Sequence, residues 1–384
     1  MGLAWLKKAA AKIEGKRNSI FTYPVNKQQA YIAHFPEPKD QLERSYFQYC
    51  CQMKLSGKLM HWLLNLAALP MSLALLLKYS RKHVAASDCK TDCLFIRYDL
   101  PENIVPDSLR QRYPEMLSIQ TLGNCLDRED IAFLKTIFKR YPFSWLFWLK
   151  MTIKVSQYSD AIKKHSPGSI ISCDEYSFTS SAITAYCHTK GIKRINVMHG
   201  EKLYDMHDAF SKYDEFFVWD QAYVDLLVSL RSDADQFVIE RPQSLHIIND
   251  GHIEKKYDYT YYLTEETDAE LEIIAGKLKE LQSKGLRISV RPHPRFSDMR
   301  RVTAYFSFAN IENGKIITIE ESLLQTGAAI ALHSTVLYQA VSNSIPIVID
   351  DIRNRSHFEK LKELRYVCLH KQHKLLSEIT GETQ

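Results

Sequence analysis

Short apolar runs rich in β-branched or aromatic residues alternate along the chain with stretches in which apolar residues recur every three or four positions. The short runs predict buried strands, the periodic stretches predict helices, and their alternation is typical of parallel βαβ units. Helices are predicted over 268–282 and 335–342. The predicted strands fall into two sets, 93–98, 169–173, 194–198 and 215–219, and then 259–263, 286–290, 315–319, 328–332, 345–349 and 366–369.

The two sets predict an α/β protein with two doubly wound parallel sheets, each the centre of a Rossmann-like domain. The segment 231–256, rich in charge and containing Pro242 and Gly251, indicates a domain boundary between them. We therefore expect a helical N-terminal extension over 1–90, a first domain over 91–240 and a second over 241–384. The length of 384 residues agrees with two domains at roughly 100–200 residues each.

Charge and cysteine content narrow the class of protein. The 50 basic and 45 acidic residues give a net charge of +5 that is spread along the chain. So mild an excess does not indicate nucleic-acid binding, and no nucleic-acid partner is expected. Eight cysteines without paired C-x-x-C spacing favour a reducing, cytoplasmic compartment and argue against a zinc site.

Two stretches near the N-terminus bear on membrane contact. Residues 3–17 place apolar side chains on one helical face and basic side chains around the rest, which is typical of a short helix resting on anionic lipid and equally of a solvated surface helix. Residues 62–77 are apolar but contain Asn65 and Pro70 and are too few to span a bilayer, which takes about 20 residues. A buried core helix, or a re-entrant face shared with the membrane, is the expectation for this stretch.

Three predicted strands are followed directly by residues able to carry chemistry. HGEK begins at His199, RPHPR begins at Arg291 and HST begins at His333. In open parallel sheets, ligands bind beyond the carboxyl ends of the strands, so these three segments predict the functional site.

Each segment has a physical interpretation. Ser334 and Thr335 open a predicted helix, where their hydroxyls and the free amide groups can hold a phosphate, or the two residues can simply cap the helix. In RPHPR, the prolines fix a loop with His293 at its tip and with Arg291 and Arg295 on either side. Such a loop suits binding a phosphorylated group or protonating a leaving phosphate, whereas the plain alternative is a structural histidine between two surface arginines.

Taken together and in this order, the three segments resemble motifs of bacterial GT-B glycosyltransferases of surface polysaccharide synthesis, over roughly residues 169–351. RPHP and HST are similar to the HP and Ser/Thr motifs of bacterial sialyltransferases and polysialyltransferases. That resemblance implies that His293, Ser334 and Thr335 contact the cytidine monophosphate of a donor, and His333, directly before the Ser/Thr pair, is a further candidate for donor binding. VMHG, RPHP and HST together also resemble the teichoic acid glycerophosphotransferases that use CDP-glycerol, which implies that His199 is catalytic. A GT-B fold has two Rossmann-like domains facing a cleft.

The sequence departs from the sialyltransferase pattern in the residues that would supply the general base. Those enzymes carry two acidic residues before a glycine, and no such triplet occurs here. Asp174 and Glu175 follow the strand 169–173 and are the best carboxylate candidates beside His199, although Asp174 could instead cap the next helix. Asp350 and Asp351, after strand 345–349, could bind a ribose or a metal, or could be turn residues. Because no DxD triad is present, metal-independent chemistry without a cofactor is expected.

The sequence therefore predicts a glycosyltransferase that moves a sugar from a nucleotide donor, CMP- or CDP-linked in preference to UDP-linked, to a glycan acceptor. The acceptor would be a bacterial capsule, lipooligosaccharide or O-antigen chain, free or lipid-linked, handled in the cytoplasm or peripherally at the inner face of the membrane. Two alternatives stay open. One is phosphopolyol transfer from CDP-glycerol, and the other is a non-catalytic nucleotide-sugar-binding subunit of a polysaccharide assembly complex, against which RPHP and HST argue.

Overall fold

The computed structural model describes residues 23–82, 84, 90–248 and 254–380. The predicted interfacial helix over 3–17 lies outside these residues. The chain divides into two compact units. The N-terminal unit comprises the described residues up to His199 together with Tyr204–Gln243, and the C-terminal unit comprises Gly200–Leu203 together with the described residues from Ser244 onward.

The N-terminal unit contains a six-stranded sheet in which every paired strand is parallel to its neighbour, in the order β2-β1-β3-β4-β5-β6. Its strands are β1 (Cys93–Ile96), β2 (Leu117–Ile119), β3 (Ser169–Ser172), β4 (Lys193–Val197), β5 (Glu215–Val218) and β6 (Phe237–Ile239). Its helices are α1 (Val25–Ala33), α2 (Gln41–Ser56), α3 (Lys58–Ser80), α4 (Asp107–Arg112), α5 (Arg128–Arg140), α6 (Trp145–His165), α7 (Ser180–Thr189) and α8 (Gln221–Ser229).

The C-terminal unit contains a second six-stranded parallel sheet, in the order β12-β11-β10-β7-β8-β9. Its strands are β7 (Tyr257–Tyr262), β8 (Ile288–Arg291), β9 (Asn310–Ile311), β10 (Thr326–Ala331), β11 (Ile347–Ile349) and β12 (Lys374–Leu375). Its helices are α9 (Asp268–Ser283), α10 (Met299–Phe306), α11 (Ile319–Leu324), α12 (Thr335–Ser342) and α13 (Arg355–Glu363).

Both faces of the first sheet are covered, as the continuous apolar strands predict. In β1, Leu94 and Ile96 belong to a core with α6 and α7, whereas Cys93 and Phe95 belong to a separate core on the other face. Successive side chains of a strand point to opposite faces, so one short apolar run supplies both cores. The predicted class, two Rossmann-like doubly wound parallel sheets, is confirmed.

Two predicted strands are wrong, and four strands were not predicted. The run 315–319 is a turn that ends at Thr318, whose hydroxyl caps α11 in a capping box with Glu321. The run 366–369 is a 3₁₀ helix, Val367–His370. The unpredicted strands are the edges of the two sheets, β2, β6, β9 and β12, which have only two or three residues each and lack the buried run that marks an interior strand.

The apolar stretch 62–77 lies within α3, and the expectation of a buried core helix is wrong. Trp62 is 62% exposed, and several leucines of the helix are about half exposed. Of the helices in the described part of the chain, α3 alone is long and apolar enough, over Leu59–Ser80, to cross a membrane, by length and composition only.

A fully buried arginine connects β4 to the elements around it. Arg194 pairs with Asp174, whose two carboxylate oxygens each lie 2.7 Å from Nη2, and its Nη1 donates to the carbonyl of Ser180 at 2.9 Å. The rings of Tyr158 and Tyr213 flank the guanidinium at 5.0 and 5.4 Å. A buried charge is tolerated when it is paired and hydrogen-bonded, so Asp174 is bound into the fold of the N-terminal unit.

We predict that Asp174→Asn lowers the free energy of unfolding of the N-terminal unit by about 3–5 kcal/mol, because the buried guanidinium loses its counter-charge. Urea denaturation monitored by circular dichroism measures this loss. Asp99→Asn, the same substitution at an exposed position after β1, is the matched control and should change stability by less than about 0.5 kcal/mol. A loss below about 1 kcal/mol for Asp174→Asn would show that the pair does not hold the fold.

Candidate active site

The first group of candidate residues lies at the carboxyl edge of the N-terminal sheet. Strands β3 and β4 are adjacent and in register, with Ser172 opposite Asn196. The residues that follow each strand therefore emerge side by side, at the spacing of about 4.8 Å between neighbouring strands. This brings Glu175 next to His199, although 23 residues separate them in the sequence.

Glu175 and His199 form an acid–imidazole pair. The Nδ1 atom of His199 lies 3.2 Å from Oε1 of Glu175. The carboxylate is buried, and its other oxygen accepts from the side-chain amide of Asn196 at 3.2 Å. The imidazole is 28% exposed. The two facing atoms are within ion-pair distance but do not meet hydrogen-bond geometry. A buried carboxylate this close to one ring nitrogen of a partly exposed histidine leaves the second nitrogen for proton transfer.

The adjacent carboxylate, Asp174, has a structural role. Both of its oxygens bind Arg194, and Oδ1 also accepts from the hydroxyl of Ser172 at 3.0 Å. Of the two carboxylates that the sequence offered as the base, the geometry therefore sets Asp174 in the buried ion pair and Glu175 against the histidine.

The four residues after His199, Gly200–Leu203, belong to the C-terminal unit, where Glu201 lies beside Cys368 and His333. Its Oε1 accepts from the thiol of Cys368 at 3.4 Å, and its Oε2 lies 3.6 Å from Nε2 of His333. Burial raises the pKa of Glu201 to about 8. Burial, followed by the charges of His357 and Arg353, lowers the pKa of His333 to about 4. Both groups are therefore largely neutral near pH 7.

The second group of candidate residues lies at the carboxyl edge of the C-terminal sheet. Strand β7 lies between β10 and β8, so the HST segment after β10 and the RPHPR segment at the end of β8 emerge two strand spacings apart, about 10 Å. The topology thus brings His293 and His333 to one edge of one sheet, as ligand sites in such sheets require.

His293 is held as a neutral hydrogen-bond donor. Its Nδ1 accepts from the backbone N–H of Arg295 at 3.1 Å, so in the neutral ring the proton must reside on Nε2. Its own backbone N–H donates to Ser297, and its ring stacks on Phe296 with centroids 4.5 Å apart. Burial, and after it the charge of Arg295, lowers the pKa of His293. The side chain can therefore donate from Nε2 to a phosphate oxygen at neutral pH.

The two arginines of the loop differ in their surroundings. Arg291 is buried, and its terminal nitrogens bind Glu312 and the carbonyl of Ile317, each at 2.8 Å. Arg291 therefore fixes the base of the loop. Arg295 is exposed, and its guanidinium makes no hydrogen bond or ion pair within the described residues. Of the flanking cations that the sequence indicated, Arg295 is the one positioned to meet an anion.

Ser334 and Thr335 also differ. The hydroxyl of Ser334 caps α12 by accepting from the N–H of Val336 at 3.3 Å, and its backbone N–H donates to the Tyr366 hydroxyl at 3.3 Å. The capping interpretation of the HST segment thus holds for Ser334. Thr335 is exposed at the first turn of the helix. Its hydroxyl and the helix N-terminus are available to an anion.

Asp350 is a buried turn residue. One carboxylate oxygen accepts from the backbone N–H groups of Ile352 and Arg353 at 2.9 and 3.0 Å, and the other accepts from the Tyr261 hydroxyl. The Asp351 carboxylate likewise accepts from the backbone N–H and the hydroxyl of Ser377. These contacts favour the turn alternative over a ribose or metal ligand. Within the described residues, no group of three or more His, Cys, Asp and Glu side chains is placed to hold a metal ion.

A network of hydrogen bonds and one ion pair follows β7 at the carboxyl edge of the C-terminal sheet. The sequence did not predict it. Glu266 is buried, accepts from the backbone and hydroxyl of Thr264 at 2.8 and 2.9 Å, and pairs with the buried Arg353. The sequence contained one indication of this network, the acidic pair Glu265 and Glu266 after the predicted strand 259–263. The partner of Glu266, Arg353, lies 87 residues away in the chain. Glu201 was part of the quoted HGEK segment, yet nothing in its sequence context indicated a buried carboxyl group.

The described residues form two Rossmann-like units, each with a six-stranded parallel sheet. No family model matches the sequence, and no curated protein matches it.

Solved structures similar to the chain include nucleotide-sugar enzymes and a cell-wall polymerase. The UDP-GlcNAc 2-epimerase of Methanocaldococcus jannaschii is 11% identical, with a TM-score of 0.43, over 76% of this chain and 92% of its own. S. aureus MnaA, in a structure with UDP, is 10% identical with a TM-score of 0.44, over 67% of this chain and 78% of its own. The wall teichoic acid polymerase TagF is 9% identical with a TM-score of 0.42, over 75% and 77%. Likeness this distant carries nothing about activity, so function rests on the residues themselves.

The burial of Glu201 predicts a pH-dependent stability. Because its folded pKa of about 8 exceeds the ordinary value of 4.5, the folded state binds this proton more tightly than the unfolded state. The resulting stabilisation is fully present below pH 4.5 and is lost as the pH rises through 8. We expect wild type to lose thermal stability relative to Glu201→Gln between pH 5 and 9, since the amide stays neutral throughout.

The measurement is the difference in melting temperature between wild type and variant at several pH values across this range. Glu272→Gln, on the exposed face of α9, is the control and should follow wild type at every pH. A constant difference between wild type and Glu201→Gln would mean that Glu201 is ionised in the folded protein.

Proposed function

We propose that the protein is a GT-B glycosyltransferase that moves a sugar from a nucleotide donor to a hydroxyl group of a bacterial cell-surface glycan, such as a capsule, lipooligosaccharide or O-antigen chain. The observation that carries the proposal is the pair formed by His199 and the buried Glu175, 3.2 Å apart at the carboxyl edge of a parallel sheet. Such an edge is where open α/β sheets bind ligands.

His199 is the general base. Its Nδ1 faces Glu175, so Nε2 is the nitrogen that accepts the proton of the acceptor hydroxyl as that oxygen attacks the sugar carbon. The imidazolium that forms is stabilised by the buried carboxylate, which keeps its charge and does not itself take the proton. Asp174 takes no part because its charge is committed to Arg194.

The C-terminal unit stabilises the departing nucleotide phosphate. His293 donates from Nε2, a role that its neutral form and fixed tautomer support. The Thr335 hydroxyl and the N-terminus of α12 add uncharged donors, and Arg295 adds a positive charge. Donors that are already in place where negative charge develops are the usual source of transition-state stabilisation.

The assignment of the donor nucleotide rests on the RPHP and HST motifs. RPHP and HST, with their resemblance to sialyltransferase motifs, favour a CMP-linked sugar, sialic acid included, or a CDP-linked donor over a UDP-linked one. The acceptor would be a growing glycan, free or carried on lipid at the inner face of the cytoplasmic membrane. No metal or cofactor enters this chemistry as proposed.

A second candidate is transfer of a phosphopolyol from CDP-glycerol, which the histidine base favours because the resemblance to teichoic acid glycerophosphotransferases implies a catalytic His199. The same residues would then deprotonate a polyol hydroxyl and stabilise the released CMP. The products distinguish the reactions, since the polyol product contains phosphorus in its new linkage and the glycan product does not. Phosphorus NMR of purified product decides between them.

The test of the proposal is the rate of nucleotide release from CMP-sialic acid, CDP-glycerol and UDP-GlcNAc, each with and without glycan acceptors. His199→Asn should lower kcat by about 10²–10⁴-fold, the usual contribution of a general base, and leave nucleotide affinity unchanged. Glu175→Gln should lower kcat as well, by a smaller factor, because the ring keeps its position but loses the stabilising charge.

His188→Asn is the matched control. His188 also pairs with a carboxylate, Asp214, at 2.7 Å, but Asp214 precedes β5 and so lies at the amino end of the strand. Its substitution should leave kcat at the wild-type value. A His199→Asn enzyme with wild-type turnover would remove the base from the proposal, and nucleotide binding without release from any donor would favour the non-catalytic subunit.

A further inference from the structure

One face of helix α3, formed mostly by small and polar residues, packs against the rest of the N-terminal unit. His61 bonds through Nε2 to the Tyr49 hydroxyl at 2.7 Å, and the Asn65 side chain bonds the carbonyl of Phe143 and the N–H of Leu146 at 2.8 and 2.9 Å. Further along the same stripe, three or four residues apart as on one helical face, are Ala68 and Ser72, both buried, and Leu76 and Tyr79, which pack on the core.

The opposite stripe of α3 is apolar and faces solvent. Leu59 is 73% exposed, Trp62 is 62% exposed and Leu77 is 59% exposed. Beside the helix, Phe143 is 80% exposed. The α3 apolar face, as we call it, consists of Leu59, Trp62, Leu63, Leu66, Leu73, Leu77 and Phe143. Soluble surfaces place scattered apolar side chains in water, but a continuous stripe of this size marks an interaction site.

The charged residues of the segment that contains α3 have one sign. Residues 44–87 contain no Asp or Glu, whereas Lys54 lies near the end of α2 and Lys58, Lys78, Arg81 and Lys82 lie at or directly after the ends of α3. An apolar stripe with tryptophan and leucine, bounded by basic residues, is the pattern of a helix that rests in the interface of an anionic bilayer.

The attachment of α3 to the N-terminal unit decides between crossing a membrane and lying on it. Its 23 residues span about 34 Å, enough to cross the hydrocarbon core of about 30 Å. However, the contacts made by His61, Asn65 and Tyr79 run along most of its length. Crossing would break these bonds or take their polar partners into hydrocarbon, where each unsatisfied group costs several kcal/mol.

We propose that the α3 apolar face docks the protein on an anionic lipid bilayer, with α3 parallel to the membrane plane and Trp62, the leucines and Phe143 inserted among the acyl chains. The basic residues at the C-terminal end of the helix, Lys78, Arg81 and Lys82, then meet the headgroups. This surface is separate from the residues assigned to catalysis, and its test does not depend on the proposed function.

Two other occupants fit the charges less well. A second copy of the chain packed by two-fold symmetry would oppose the same basic residues to each other. Residues 1–22 contain five basic residues and one acidic residue, so covering the face with this segment would also bring like charges together. An anionic surface is the occupant that the charges complement.

The experiment measures sedimentation of the full-length protein with vesicles of phosphatidylcholine alone and of phosphatidylcholine with phosphatidylglycerol, at low and high salt. Wild type should bind the anionic vesicles at least about 10-fold more tightly than the neutral ones, and high salt should weaken this preference. A Leu66→Glu, Leu73→Glu double variant should lose about 10-fold or more in affinity for the anionic vesicles. Ile273→Glu, at an exposed apolar position of α9, is the matched control and should bind as wild type does.

Circular dichroism and the thermal shift produced by nucleotide should be the same for the double variant and wild type, which separates loss of docking from loss of fold or of donor binding. Equal vesicle binding by the double variant and wild type would overturn the proposal, and so would a lack of vesicle binding by wild type. A wild-type dimer that the double variant abolishes, with no vesicle binding by either, would assign the face to a second copy. Extraction of wild type from vesicles by detergent alone would indicate a crossing helix instead.

Discussion

The burial of Arg194 is the constraint on which the arrangement of Glu175 and His199 in the N-terminal unit depends. A guanidinium without solvent must find an anion and fill its remaining donor positions. Asp174 provides the anion, while Ser172 and Ser180 accept two of the hydrogen bonds. These partners lie at the end of β3 and the start of α7, so satisfying one charge fixes the intervening loop. Because Glu175 lies within that loop, the same interaction sets the carboxylate against His199.

The C-terminal unit contains two buried ion pairs with a comparable effect. Arg291 with Glu312, and Arg353 with Glu266, hold the segments that follow β8 and β7. Among the other candidate residues at this edge, Arg295 makes no ion pair within the described residues, and His293 and Thr335 are neutral donors. An arginine in a buried ion pair is not available to bind and release a substrate, because breaking the pair leaves a buried charge without a partner. Glu201 and His333 are the exception in being close together and neutral, which burial imposes on both.

The interior of both sheets could be predicted from the sequence, because strands buried on two faces leave continuous apolar runs. The edge strands could not, since β9 and β12 have two residues each and little burial to mark them. The three motif histidines were predicted from their positions after strands. Which neighbouring charges enter a buried ion pair with arginine was not predictable: Asp174 and Glu175 look alike in sequence, and the partner of Arg291, Glu312, lies 21 residues away. The exposure of α3 was misjudged for a similar reason, since hydropathy shows that a helix is apolar and does not show which face the fold covers.

The proposed function requires that the carboxyl edge of the C-terminal sheet bind the phosphate of a nucleotide, with His293 as a donor. The most direct measurement is the thermal unfolding of wild type and His293→Ala with CMP, CDP, UMP and UDP, and with the exposed-site variant His370→Ala as the control. A ligand at 100 times its Kd stabilises the folded state by about 2.7 kcal/mol. The account predicts that a cytidine nucleotide raises the melting temperature of wild type and His370→Ala, and that His293→Ala loses most of this shift. Equal protection of all three proteins, or protection of none by any nucleotide at millimolar concentration, would contradict it.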